Sequence, residues 1–202
     1  MQEAVESSDL SPGMKKHYAE AMGKVVSRMP TKALDRVHKN LKRTTFHPDT
    51  KTCGLAVVDA ALKVPGSDAA LTADLRQWRR KIEAGRSSIG GAYVKNGADS
   101  EMHLDGSFSA NAQTTAGVYG HELAHAVDGP DNVASSSQKW MDAYDAEIAG
   151  GQLTKYAATH EGEGWAEFGR LVYAGEHDLA DVEKQFPKCS AIWKEAGIWP
   201  AS

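Results

Sequence analysis

The motif His121-Glu-Leu-Ala-His125 constrains the fold of this chain most, because its spacing brings the two histidines together on an α-helix. With 3.6 residues per turn, both imidazoles lie on one helix face and can hold a single cation. Glu122 projects about 100° round the helix from His121. This is where a general base for a metal-bound water is needed. The motif therefore predicts a metal site on a helix over residues 116–127; a helix with two partly exposed histidines is the alternative.

A catalytic zinc needs three protein ligands and an open position, so a third ligand is expected downstream. The segment from Tyr156 to Glu167 contains several candidates, on a helix predicted over residues 159–174. Glu163 and Glu167 are four residues apart on one helix face. One of them can bind the metal while the other supports a histidine from behind. Trp165 and Phe168 are expected to be packing residues.

The composition fits one ordinary globular domain. The chain has 202 residues, of which 41% are hydrophobic and 25% charged. A domain of this size buries roughly two-thirds to three-quarters of its unfolded surface. A metal is therefore expected to serve chemistry rather than to hold the fold. We expect one domain over residues 1–202, with helices and a small sheet before residue 115 and the two motif helices after it.

Local patterns predict an α+β fold in which helices dominate. A helix is expected to begin at Ser11-Pro12 and to stop at Pro30, and Thr31 and Thr72 are expected to cap the next two helices. The segment 44–64 is ambiguous between strand and buried helix. Two strands are predicted on either side of an Asn96-Gly97 turn. These strands cover residues 89–94 and 100–105, and further helices are predicted at 135–149, 178–185 and 190–196.

The net charge of −4 hides an asymmetry along the chain. Residues 1–90 contain 16 Lys and Arg against 10 Asp and Glu, whereas residues 91–202 contain 7 against 17. The basic part could be a nucleic-acid footprint or simply solvated helix faces. No aromatic residues are interleaved to stack on bases, so we predict no nucleic-acid partner.

The sequence also bears on membrane insertion, secretion and disulfide bonding. No apolar stretch approaches the roughly 18 residues that span a bilayer, so no membrane span is predicted. The first 13 residues are acidic and lack an apolar core, which does not predict a secretory signal. Cys53 and Cys189 are compatible with a disulfide or with two free thiols.

Residues 115–202 resemble the catalytic domain of the anthrax lethal factor-like zinc endopeptidases, a group that includes bacterial Pro-Pro endopeptidases. The matching segments are HELAHAVDG and LTKYAATHEGEGWAEFGRL. Members of this group have a tyrosine seven residues before the metal-binding glutamate and an acidic residue four beyond it. Tyr156, Glu163 and Glu167 keep this spacing.

The resemblance implies a zincin-like metallopeptidase domain with an edge strand over the active-site helix. It implies one Zn²⁺ per chain, bound by His121, His125 and Glu163, with Glu122 as general base and Tyr156 as transition-state stabiliser. The implied function is selective cleavage of a few proteins, bound in extended form and including proline-containing ones. The alternatives are a metal hydrolase acting on a non-peptide amide and a binding module without turnover.

Further expectations concern Asp128, Glu167 and two other histidines. Asp128 lies one turn after His125 and is expected to accept the free N–H of its ring, while Glu167 is expected to do the same for a histidine. Either could instead be a cap or a surface charge. His160 is expected to be peripheral. The strand containing His103, within residues 100–107, is expected to lie at the cleft and to pair with the substrate.

The resemblance also bears on where the protein acts. The resemblance suggests a protein that is secreted or delivered to another cell and acts in virulence, with the cytoplasm as the alternative. A monomer is expected by default.

Overall fold

The computed structural model describes residues 5–6, 8–66, 68–96, 99–107, 112–129 and 134–201, excluding the side chains of residues 112–114. Helix α1 (Pro12–Arg28) begins as predicted. The Ser11 side chain accepts a hydrogen bond from the Met14 N–H, and proline occupies the first turn. The helix ends at Met29, immediately before Pro30.

Two of the predicted helix caps are wrong. Helix α2 (Thr31–Asn40) has Pro30 as its N-cap, and Thr31 is its first residue. Helix α4 (Ala69–Glu83) starts before Thr72, because the Asp68 carboxylate accepts the Leu71 N–H and provides the cap. The Thr72 hydroxyl donates to the Asp68 carbonyl from one turn inside the helix.

The ambiguous segment contains one strand and one helix. Strand β1 (Arg43–His47) is followed by helix α3 (Thr50–Ala61), in which the Asp49 side chain accepts the Thr52 N–H. The apolar run after Cys53 is therefore helical. It packs over one face of the sheet, where Val57 of the helix and Val94 of the sheet belong to one buried cluster.

The sheet has three strands in the described chain, in the order β1-β3-β2. Strand β2 (Gly91–Val94) is antiparallel to β3 (Glu101–Asp105), and β1 is parallel to β3. Because β3 is central, both of its edges are already paired. The prediction that residues 100–107 pair with the substrate is therefore wrong. The edge strand beside the motif helix is β2, which confirms that part of the predicted fold. Gly97 of the predicted turn lies outside the described residues.

The second half of the chain is helical. Helix α5 (Ala112–Asp128) packs most extensively against α7 (Glu161–Tyr173), because Gly169 lets the two backbones approach at Ala124, where a Cβ would collide with the Ala124 side chain. Trp165 and Phe168 are fully buried, as predicted. The remaining elements are α6 (Gln138–Glu147), a 3₁₀ turn (Ala157–Thr159), α8 (Leu179–Gln185) and α9 (Pro187–Glu195).

Cys53 and Cys189 are both buried and both free, so the disulfide alternative is not realised. Burial raises the pKa of the Cys53 thiol to about 12, which keeps it protonated. No helix among the described residues is long and apolar enough to cross a membrane.

Candidate metal centre

Helix α5 brings the two motif histidines together, and α7 supplies the third group. The rings of His121 and His125 lie edge to face with centroids 4.9 Å apart. The Nε2 atoms of these rings are 3.2 and 3.6 Å from Glu163 Oε2. One ligand atom of each residue lies within 4.8 Å of the other two. The structure therefore brings together all three residues that the resemblance named as ligands.

The chemistry of these atoms fits a metal ion. Glu163 Oε2 is buried, and within the described part of the chain no group makes an aligned hydrogen bond to it, although both imidazoles are close. Buried carboxylate oxygens are normally paired. The two imidazole nitrogens and this oxygen therefore converge on one place, which a shared cation can occupy. Two imidazoles and one carboxylate suit zinc with an open fourth position.

The protonation of the metal-free cluster supports the same interpretation. Burial alone would lower the pKa of His121, but the carboxylates of Glu163 and Glu167 raise it to about 10. Burial would raise the pKa of Glu163, but His121 and His125 hold it well below its ordinary range. Without a metal, His121 therefore carries a proton that a cation must displace.

Glu167 lies behind His121, where the sequence predicts it. Its Oε1 is 3.0 Å from His121 Nδ1, and its Oε2 accepts a hydrogen bond from the Thr154 hydroxyl at 3.0 Å. A carboxylate at Nδ1 favours a proton on that nitrogen, which leaves Nε2 free to bind a metal.

Asp128 does not support His125, so that prediction is wrong. Its carboxylate accepts the backbone N–H groups of Ala134 and Ser135, both at 2.9 Å, and the Ser135 hydroxyl at 2.6 Å. Gly129, with a φ of 89°, ends the helix and turns the chain. His125 Nδ1 is buried and has no hydrogen-bond partner among the described residues.

Glu122 is buried between α5 and the edge strand β2. Burial raises its pKa, opposed by the two histidines of the motif, and the backbone N–H of Tyr93 favours its charged form. A Cβ built on Gly91 would lie 3.3 Å from Glu122 Cγ. The sequence does not predict that Gly91 and Tyr93 lie beside Glu122. The Gly90-Gly91 pair at the strand start was a signal of close backbone approach.

Tyr156 lies at the mouth of the cluster. Its ring centroid is 5.8 Å from that of His121, and the residue is 54% exposed. Burial of the hydroxyl and the negative charge of Glu163 raise its pKa. The phenol therefore stays protonated and can donate a hydrogen bond at neutral pH.

The two other histidines considered from the sequence lie apart from the cluster. His160 accepts the Gly162 N–H as the cap of α7 and is peripheral, as predicted. His103 belongs to the segment 100–107 that was predicted at or near the cleft, but its ring lies on the other face of the sheet. Its Nδ1 lies 3.0 Å from His47 Nε2, and both rings are buried on the sheet face opposite Met102 and Leu104.

Comparison with known proteins identifies the fold. No protein-family model and no curated protein sequence matches this chain. Among solved structures, the chain is similar to the Pro-Pro endopeptidase from Paenibacillus alvei, with a TM-score of 0.60 and 18% identity over 94% of each chain. The likeness bears on the Pro-Pro endopeptidase part of the resemblance and does not test the lethal factor part. The chain therefore has the same α+β fold as that endopeptidase structure.

Proposed function

We propose that this protein is a monomeric zinc-dependent endopeptidase, of the lethal factor-like group, with one zinc per chain. The observation that carries the proposal is the convergence of His121, His125 and Glu163 beside a buried glutamate on a metallopeptidase fold. Zinc held by these residues supplies a Lewis acid that polarises a carbonyl and acidifies water.

Glu122 and Tyr156 have complementary roles in the proposed reaction. Glu122 accepts the proton of the attacking water and passes it to the leaving amine as the C–N bond breaks. Its raised pKa suits a group that both takes and returns a proton. Tyr156 donates a hydrogen bond to the oxyanion that develops on the substrate carbonyl.

The free edge of β2 is the proposed docking site for an extended substrate. The Asp105 N–H donates to the Gly90 carbonyl at 3.0 Å, so alternate residues from Gly90 onward bond to β3. Gly91 and Tyr93 therefore present their backbone groups to the opposite side, where the Tyr93 N–H bonds to Glu122 and the Gly91 groups and the Tyr93 carbonyl face the cleft. Peptides can pair with such an edge in β-augmentation. We propose selected proteins, including proline-containing ones, as substrates.

Metal analysis and a peptide library test this proposal together. Purified wild type should contain about one zinc per chain and cleave members of a proline-rich library, and a chelator should abolish cleavage. His121→Ala should lose the zinc. Glu122→Gln should retain it and lose turnover, because the amide cannot take the proton. Cleavage by Glu122→Gln at the wild-type rate would refute the mechanism. Zinc without cleavage would favour a non-peptide amide as substrate.

We also propose, from the resemblance, that the enzyme acts outside the cell that makes it, by secretion or delivery to another cell in virulence. The cytoplasm is the alternative. Fractionation of the producing culture with an antibody against the chain distinguishes the two.

A further inference from the structure

Arg170 connects the metal cluster to the outer end of α7. It lies three residues after Glu167, and its Nε donates to Glu167 Oε1 at 3.1 Å. The same oxygen lies 3.0 Å from His121 Nδ1. We propose that Arg170 is a positioning residue for the metal centre, which fixes the Glu167 carboxylate and, through it, the ring of His121. This inference rests on the proposed function.

The Glu167 carboxylate needs such support because its side chain is only 9% exposed. A buried carboxylate is costly unless it is paired and hydrogen-bonded. His121 and Arg170 share Oε1, and the Thr154 hydroxyl donates to Oε2. With both oxygens held, the carboxylate plane cannot rotate, and the Nδ1 of His121 meets an acceptor in one fixed place. The imidazole is thereby oriented with Nε2 toward Glu163.

Arg170 is itself held by a second carboxylate. Its Nη1 lies 3.4 Å from Glu176 Oε2, and the Glu176 side chain is 13% exposed. The guanidinium therefore bridges Glu167 and Glu176, and an ordered chain of charges extends from His121 to the loop after α7. A lysine ammonium is a point charge without this planar fork and cannot reproduce the bridge.

Helix α5 is shaped to admit this arginine. A Cβ on Gly117 would lie 3.4 Å from Glu176 Oε1 and 3.5 Å from Arg170 Cδ. A Cβ on Gly120 would lie 3.6 Å from Arg170 Cα. Any side chain longer than alanine at Gly117 would therefore push into the bridge. The small residues of α5 leave the space that the Arg170 side chain occupies.

The experiment compares Arg170→Met and Arg170→Lys with the control Arg79→Met in the full chain. Arg79 also bridges two carboxylates, Asp59 at 2.5 Å and Glu83 at 3.1 Å, but on α3 and α4. The zinc dissociation constant is measured by competition with a chelating indicator, and cobalt(II) absorption reports ligand geometry. Circular dichroism and thermal melting of the metal-free variants establish that they are folded.

We expect Arg170→Met to weaken zinc binding by about 10-fold or more, within the roughly 10–100-fold typical of residues that support metal ligands. Its cobalt absorption should change in shape. Arg170→Lys should lie between Arg170→Met and wild type, and Arg79→Met should bind zinc like wild type. If Arg170→Met does not fold, the lysine variant decides.

A folded Arg170→Met with wild-type zinc affinity and cobalt absorption would overturn this inference alone. So would a folded Arg170→Lys that matches wild type in both measurements when Arg170→Met does not fold. Failure of the wild-type chain to bind zinc would overturn the proposed function, and the inference with it.

Discussion

Gly91 on the edge strand leaves little room for a side chain beside Glu122. A Cβ built on Gly91 would lie 3.3 Å from Glu122 Cγ, 2.9 Å from Leu104 Cδ2 and 3.0 Å from Val118 Cγ1. The edge strand and the proposed general base are therefore in direct contact. A residue that shifts β2 must also shift Glu122.

Replacement of Gly91 by valine should move the edge strand away from α5. We expect kcat to fall at least about tenfold with zinc retained, and the free energy of unfolding to fall by about 1–3 kcal/mol from overpacking. Zinc content, peptide kinetics and urea denaturation measure the three quantities. Gly23→Ala is the control, because a Cβ at Gly23 has no neighbour within 4 Å. An unchanged kcat in a folded Gly91→Val would contradict the close approach of strand and base.

Tyr156→Phe removes the proposed oxyanion donor and, in the metal-free protein, its hydrogen bond with Glu163. The residue is 54% exposed, so folding should be unaffected. We expect kcat to fall by about 10²–10³-fold, as for loss of one oxyanion donor, with KM and zinc content near those of wild type. Steady-state kinetics and elemental analysis check this. If the phenylalanine variant kept more than half of the wild-type kcat, Tyr156 would have no catalytic role.

Asp128→Asn should reduce stability rather than zinc affinity. The carboxylate accepts three hydrogen bonds from Ala134 and Ser135. It does not accept the ring N–H of His125. The asparagine can retain only part of this network, so we expect a loss of about 1–3 kcal/mol in unfolding free energy. Urea denaturation of the metal-free protein gives that value. A zinc dissociation constant weakened tenfold or more, with unchanged stability, would restore Asp128 to the metal site.

The sequence predicts the site better than the sheet, for a physical reason. His121 and His125 are neighbours because of helix geometry alone, so their spacing is sufficient evidence. Glu163 joins them through the packing of α5 on α7; ligand chemistry pointed to Glu163 or Glu167, and only the resemblance selected Glu163. The central place of His103 in the sheet depends on strand order, and the spacing of strands along the chain does not encode it. The helix Ala69–Glu83 is capped by Asp68 and not by the predicted Thr72, because several residues near a helix start can act as the N-cap.

The buried pair His47 and His103 predicts an acid-sensitive fold. Burial, with the neighbouring His47, lowers the pKa of His103 from 6.5 to about 4, while Glu101 opposes this shift. Asp105 and Asp49 likewise oppose the lowering of the His47 pKa by burial. Between pH 6.5 and 4 the unfolded chain therefore binds more protons at these positions than the folded chain does. These two histidines therefore cost no stability well above pH 6.5, and their protonation lowers the stability as pH decreases.

The size of this loss follows from the two pKa values of His103. A shift from 6.5 to about 4 corresponds to about 3 kcal/mol by pH 4. His103→Gln retains a hydrogen-bonding side chain but does not titrate. We expect the unfolding free energy of the variant, measured by urea at pH 7.5, 6 and 5, to depend less on pH than that of wild type. Both proteins are compared metal-free, so the protonation of His121 and Glu163 contributes equally. Parallel pH profiles would show that His103 does not bind protons differently in the two states.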